Sequence, residues 1–163
     1  MFKKYIAVAA LSLAASASFA TPTGIYAGAN VGTTHISDLD GNKASYGAFA
    51  GYGINQNVAV EVGYRQHGDW DLYGYEIKVK QSDVSVLASL PLATNFDIYG
   101  RLGYAHAKVE GSYGGYRGDE SVDNTLVGIG LAYNFSQNLS GRVEVQKPAS
   151  DTTNTSVSLV WKF

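Results

Sequence analysis

VSLVWKF, residues 157–163, alternates by side chain: Val157, Leu159, Trp161 and Phe163 on one face, Ser158, Val160 and Lys162 on the other. A period of two is the signature of a β-strand, here with one apolar and one mostly polar face. Taken alone, the stretch suits either the last strand of an aqueous core or a strand whose apolar face meets lipid. A terminal Trp-Lys-Phe favours lipid, because aromatic side chains collect where a membrane-spanning strand reaches the water boundary. The remaining sequence decides.

The chain has 163 residues, 12 basic and 14 acidic groups, and no cysteine. Lys3 and Lys4, the apolar run 6–15 and Ser18-Phe19-Ala20 form a secretory signal peptide, expected to span 1–20 and to be cut after Ala20. Residues 21–163 then read as one domain with a net charge of about −4. That balance gives no electrostatic basis for nucleic-acid binding. Without cysteine there is no disulfide framework, thiolate metal site or thiol nucleophile. Past the signal, no run nears the ~18 apolar residues of a membrane helix. A membrane-embedded fold must therefore be a closed barrel.

Eight segments alternate, at about 25–35, 45–54, 58–65, 75–92, 96–109, 125–135, 139–147 and 153–163. Three connections (53–57, 93–95, 136–138) are short and rich in Asn and Gly. Four others (36–44, 66–74, 110–124, 148–152) are longer and polar. Short turns at one end and long loops at the other, with an even strand count, predict an all-β, closed, eight-stranded antiparallel transmembrane barrel. Tyr52, Phe96, Tyr133, Phe135, Trp161 and Phe163 fall at the turn end of the apolar face. Tyr46, Tyr64 and Tyr104 fall at the loop end, so the face carries two aromatic belts. In strand four the parity breaks at Ile77 and Val79. The break means either a bulge near residues 80–83 or an upper half standing clear of the membrane.

The opposite face carries Glu61, Arg65, Asp97, Arg101, Arg142 and Glu144. A soluble barrel of lipocalin type would turn these outward to water and its aliphatic residues inward. The terminal aromatics and the two belts favour the reverse. Glu61, Arg101, Arg142 and Glu144 stand at similar distances from their turns, so an enclosed plug of Glu–Arg pairs is expected, with Tyr99 and Asn30 available to complete it. Such a plug acts as a satisfied polar core or as a gate to a narrow ion pore.

Gly47–Tyr64 (GAFAGYGINQNVAVEVGY), Phe96–Tyr104 (FDIYGRLGY) and Gly141–Gln146 (GRVEVQ) resemble the eight-stranded transmembrane domain of OmpA-type outer-membrane proteins. The resemblance runs in order through nearly the whole mature chain. It implies localisation in the outer membrane and insertion by the barrel-assembly machinery, with Trp161 and Phe163 in the terminal recognition signal. It also implies that Glu61 and Arg142 match an interior pair proposed as a gate, and that Arg101 and Glu144 match further interior charges. Two family positions depart, since Ala132 stands for an acid and Ser89 for a lysine. Both belong to the alternative pairing that switching would use. With no further segment after strand eight, the chain resembles small barrel-only members implicated in adhesion or serum resistance.

No catalytic, metal or cofactor residues are expected. His35 and His67 fall at loop bases, and His106, in Ala105–Lys108 (AHAK), lacks the His-x-Ser arrangement of the lipid A deacylases, which are barrels of similar size; a lipid A-modifying enzyme is the rival reading. Asp38, Asp40 and Asn42 lack the spacing of a calcium loop. Tyr113, Tyr116 and Arg117 are candidate contacts for a host or surface ligand. Lys78, Lys80 and Lys108 lie near the outer rim, either as contacts for lipopolysaccharide phosphates or as ordinary rim residues. The expectation is a monomeric, non-enzymatic barrel whose partners are outer-membrane lipid, lipopolysaccharide and a ligand at its loops.

Overall fold

The structure, a computed structural model, describes residues 23–36, 42–72, 75–113, 116–149 and 152–163. The signal segment and loop residues 37–41, with Asp38 and Asp40, lie outside them. So do the side chains of Tyr113, Tyr116, Arg117 and Lys78. Eight strands follow in order: β1 (Gly24–Ile36), β2 (Asn42–Gly53), β3 (Val58–Leu72), β4 (Tyr75–Ala93), β5 (Phe96–Tyr113), β6 (Tyr116–Asn134), β7 (Leu139–Ala149) and β8 (Thr152–Lys162). Each pairs antiparallel with the next, and β8 returns to β1, so the sheet closes.

Alternation sets the two surfaces. Val62, Val84, Leu102, Ile129, Val143 and Leu159 lie on the outside, exposed, while Glu61, Leu87, Tyr99, Arg142, Glu144 and Ser158 are buried inside. The wall is aliphatic over its middle and aromatic at its ends. Phe96, Tyr133 and Phe135 form a ring cluster at the turn end, with centroids 4.8 and 5.1 Å apart. No helix among the described residues is long and apolar enough to cross a membrane. The strands supply the crossing, and closure pairs the backbone groups that lipid would leave unsatisfied.

The short turns are held by their own polar side chains. Asn55 Oδ1 accepts from the backbone N of Asn57 and of Val58, both at 2.8 Å, and Ser136 Oγ does the same for Asn138 and Leu139. These are the local side-chain turns that Asn and Ser favour. Asn57 and Asn138 then donate to the carbonyls of Ser89 and Lys162, tying each turn to the neighbouring strand.

The strands are longer than the alternation indicates. β4 and β6 each have 19 residues and β5 has 18. The expected loops 66–74 and 110–124 are mostly ladder, with Leu72 opposite Tyr75 and Tyr113 opposite Tyr116. Above the membrane nothing demands an apolar face, so the period fades while the backbone pairing continues. The parity break in strand four has this same cause. β4 keeps continuous register with β5 from Glu76 to Pro91. The irregularity sits instead in β3, between His67 and Asp69. Ile77 and Val79 fall on the inward parity because the hairpin there has left the lipid.

Glycine makes room inside. Tyr26 lies opposite Gly51 and Tyr99 opposite Gly130. A Cβ on Gly51 would stand 2.3 Å from the Tyr26 ring, and one on Gly130 would stand 2.5 Å from the Tyr99 ring. Gly100, on the outer wall, has only a carbonyl oxygen at 4.0 Å. Replacing Gly51 with Val should therefore destabilise the barrel by about 1–3 kcal/mol, whereas Gly100→Ala should change little. Urea titration of each variant refolded into lipid vesicles checks the contrast.

Candidate functional site

The lumen is stacked in layers. At the turn end, Asn134 Nδ2 donates to Asp97 Oδ2 at 2.8 Å, and Lys162 Nζ lies 3.4 Å from Asn134 Oδ1. Above this comes an apolar collar of Ala59, Leu87, Ala132 and Val160, continuous with the rings of Tyr26 and Tyr99.

The ionic layer sits on the collar and brings together all four interior charges singled out in the sequence. Arg142 Nη1 donates to Glu61 Oε1. Arg101 bridges both acids: its Nη2 is 2.6 Å from Glu61 Oε2 and its Nε is 2.8 Å from Glu144 Oε1. Its Nη1 donates to Ser85 at 2.7 Å. Each carboxylate also receives a phenol, Tyr26 on Glu61 at 2.8 Å and Tyr99 on Glu144 at 2.7 Å. The Arg142 guanidinium carbon stands 5.3–5.6 Å from the ring centroids of Tyr26, Phe49 and Tyr99. Charges taken from water persist only with such partners.

The two acids are presented alike. In the first half of the chain Tyr26, Gly51 and Glu61 lie in register across β1, β2 and β3. In the second half Tyr99, Gly130 and Glu144 lie in register across β5, β6 and β7. In each case the glycine admits the ring, and the ring reaches the carboxylate one strand further on.

Of the two residues expected to complete the plug, Tyr99 belongs to this layer. Asn30 belongs to the next, where its Oδ1 accepts from Arg65 Nε at 3.2 Å. Arg65 Nη1 donates to Asn154 Oδ1 at 2.9 Å, and Gln146 sets its amide oxygen against the same guanidinium. From Asn154 a directed chain of hydrogen bonds leads outward. Its Nδ2 donates to Thr34 Oγ1 at 2.8 Å. Thr34 donates to His67 Nδ1 at 2.8 Å. His67 Nε2 donates to Gln81 Oε1 at 2.7 Å, and Gln81 Nε2 reaches Asp83 at 3.3 Å. The order of donors and acceptors fits a neutral imidazole protonated on Nε2. These layers were not singled out in the sequence, where isolated Thr, Gln and Asn on a polar strand face look like any solvated position. His67, expected at a loop base, is buried in the wall's interior.

Between the ionic layer and the Arg65 layer remains a void of about 10 Å³, lined by Glu61, Asp83, Arg65, Arg101 and Glu144. A void of that size holds one water. Ser89 and Ala132, where the family places charges, are buried on the inner face. Among the described residues, no group of His, Asp and Glu is arranged to hold a metal. His35, His67 and His106 bond Asn42, Thr34 and Gln81, and Asp123 respectively. Trp161 and Phe163 lie exposed on the outer wall at the turn end, and the Phe163 backbone N donates to the Ile25 carbonyl at 3.1 Å, across the β8–β1 seam.

A closed eight-stranded wall with an apolar outside and an ion-paired filling defines a transmembrane β-barrel. The chain belongs to the outer membrane protein beta-barrel domain family, which it matches over residues 5–163, and it is an outer-membrane protein. It is 30% identical over 131 residues to outer membrane protein A of Yersinia pseudotuberculosis serotype I, a match covering 72% of this chain and 35% of that protein. The chain thus spans about a third of that relative's length. Its fold is that of Neisserial surface protein A (TM-score 0.73, 16% identity, 86% of this chain and 98% of that one). It is also that of Ail, the attachment invasion locus protein of Yersinia pestis, solved in complex with the heparin analogue sucrose octasulfate (TM-score 0.59, 19% identity, 83% and 93%).

Removing one member of the ionic layer strands the others. Glu61→Gln leaves two guanidiniums sharing Glu144 and should cost about 3–5 kcal/mol. Tyr99→Phe removes a single bond to a carboxylate and should cost about 1.5–3 kcal/mol. Pairing Glu61→Gln with Arg142→Met should recover part of the first loss. Equilibrium unfolding in lipid vesicles measures all three.

Proposed function

We propose that this barrel is a non-enzymatic scaffold that presents its long hairpins at the cell surface, in an adhesion or resistance role. The carrying observation is the filled lumen, whose layers leave a space of about 10 Å³ at the level of the charges. A layer so packed supports a plug at the level of the charges. The ladders of β3–β4 and β5–β6, by contrast, run well past the outer tyrosines Tyr64 and Tyr104. Binding residues concentrate on loops held by a rigid scaffold, and Tyr113, Tyr116 and Arg117 sit at the tip of the longer hairpin. The names of the two fold neighbours, a surface protein and an attachment protein, agree with this reading. A lumen whose acids are each held by guanidinium and phenol also supports a plug in preference to a conducting gate, as does Ala132 in place of an acid. The same reading takes Trp161 and Phe163, both exposed on the outer wall, as the signal recognised by the barrel-assembly machinery.

Three measurements test the proposal. Purified protein in planar bilayers should show no stepwise ion conductance. Lipid A from expressing and deleted cells should carry the same acyl chains. Cells expressing the barrel should attach to host or abiotic surfaces more than deleted cells, and shortening the β5–β6 hairpin around residues 110–119 should abolish the gain while the heat-modifiable gel shift persists. Attachment that is indifferent to the hairpin would overturn the reading.

A further inference from the structure

The wall is one four-stranded unit used twice. β8 meets β1 in the register in which β4 meets β5. Val157 lies opposite Val31 as Val84 lies opposite Tyr104, Leu159 opposite Ala29 as Val86 opposite Leu102, and Trp161 opposite Ala27 as Ala88 opposite Gly100. Each residue of one seam has its counterpart in the other at the same interval along the chain. The turns repeat too. The backbone N of Ser89 donates to the Asn57 carbonyl at 2.7 Å, and that of Lys162 donates to the Asn138 carbonyl at 2.8 Å. The Asn57 and Asn138 side chains return the bond at 2.9 and 3.0 Å. With the matched sets Tyr26–Gly51–Glu61 and Tyr99–Gly130–Glu144, residues 24–93 and 96–163 present the same edges and the same interior outline.

Equal edges are interchangeable edges. In the shared register, β4 of one copy fits β1 of a second copy, with Leu87 facing Gly28 and Ala88 facing Ala27 where Arg101 and Gly100 now stand. Gly28 is smaller than the Arg101 it would replace, so sterics permit the fit. Two copies would then close as a swapped pair, one barrel from both first halves and one from both second halves. Charge is what separates the halves. To the ionic layer the first half gives Glu61 and no arginine, whereas the second gives Glu144, Arg101 and Arg142. Arg65 and Asp83 lie together one step further out, both in the first half, and offset each other in any pairing. Two first halves would enclose two carboxylates without a guanidinium. Two second halves would enclose four guanidiniums with two carboxylates. Only unlike halves balance, and a buried charge without a partner is strongly unfavourable. We propose that the ionic layer is a self-discrimination device: it makes each half of the barrel reject the same half of a second copy and close on its complement. Arg101 and Arg142, both from the second half, are the groups that hold Glu61 of the first. Because β4 ends at Ala93 and β5 begins at Phe96, the complement at hand is the chain's own.

This discrimination is independent of what the hairpins bind. The chain has no cysteine, so Ala27→Cys/Ala88→Cys reports the wrong seam. Within one barrel these outer-wall positions on β1 and β4 are three strand spacings apart, about 14 Å, beyond the reach of a disulfide. They face each other only where β4 of one copy pairs with β1 of another. The protein is refolded into vesicles at a high protein-to-lipid ratio and oxidised, and disulfide-linked dimer is read on denaturing gels. Two charge variants, each losing Arg142 and one acid, decide the matter. Glu61→Gln/Arg142→Met leaves neither half with a net charge in the layer, because Arg101 and Glu144 both belong to the second. Glu144→Gln/Arg142→Met leaves Glu61 in one half and Arg101 in the other. The first should raise the dimer at least about 10-fold over the unaltered plug, and the second should stay level with it. Ala27→Cys/Ile129→Cys, facing in neither closure, sets the collision background. Heat-modifiable mobility shows that each variant is folded, and Arg142→Gln replaces Arg142→Met in both doubles if either fails to reach that form. Equal dimer from the two charge variants overturns the proposal, as does a first variant that stays at background.

Discussion

Hydrocarbon offers the backbone no hydrogen bonds, and every other feature of this chain follows from that constraint. A sheet in lipid must close on itself. Closure at eight strands fixes an interior only wide enough for side chains. The pleat then divides each strand between acyl chains and lumen. Glu61 shows how severe the division is: one residue from Val60 and Val62 on the outer wall, it is buried and held by Arg142, Arg101 and Tyr26. A slip of one residue in β3 would send the carboxylate into lipid and a valine into the ionic layer.

The filling follows a size rule as much as a charge rule. Tyr26 and Tyr99 are too large to share a ring of the lumen with another full side chain, so each faces a glycine on the neighbouring strand. The phenols thereby reach the two acids from opposite halves of the wall. Arg142, flanked by three aromatic rings, gains cation–π contact in a buried setting. Fit and charge are not separable here, since the glycines that admit the rings also position the hydroxyls that satisfy the carboxylates.

Much of this was legible in the residues, for an identifiable reason. Lipid imposes a strict apolar face, so Val58–Tyr64 and Val157–Phe163 could be assigned to faces by parity alone. The charges opposite them, equally spaced from their turns, had to meet in one layer. What could not be read were features without such a constraint. Thr34, His67, Gln81 and Asn154 form a directed chain, but each looks ordinary on its own strand, and only the register of four strands joins them. Asn30 looked like a fifth member of the plug and belongs to Arg65, because parity fixes a side chain's face and not its height. The long hairpins escaped notice because alternation stops when one side no longer faces lipid, whereas a ladder needs only a partner.

The seam between β1 and β8 has a consequence for how the molecule forms. Residues Tyr26–Ile36 find their second partner in Thr152–Lys162, nearly the full chain away. Until that late segment arrives, β1 has an open edge that hydrocarbon does not tolerate, and the ionic layer lacks the wall of Ser156 and Ser158 behind it. Loop-closure entropy makes so distant a pairing slow. Insertion is therefore gated by the arrival of the final strand, and an earlier, partly curled sheet needs a temporary mate for its first edge.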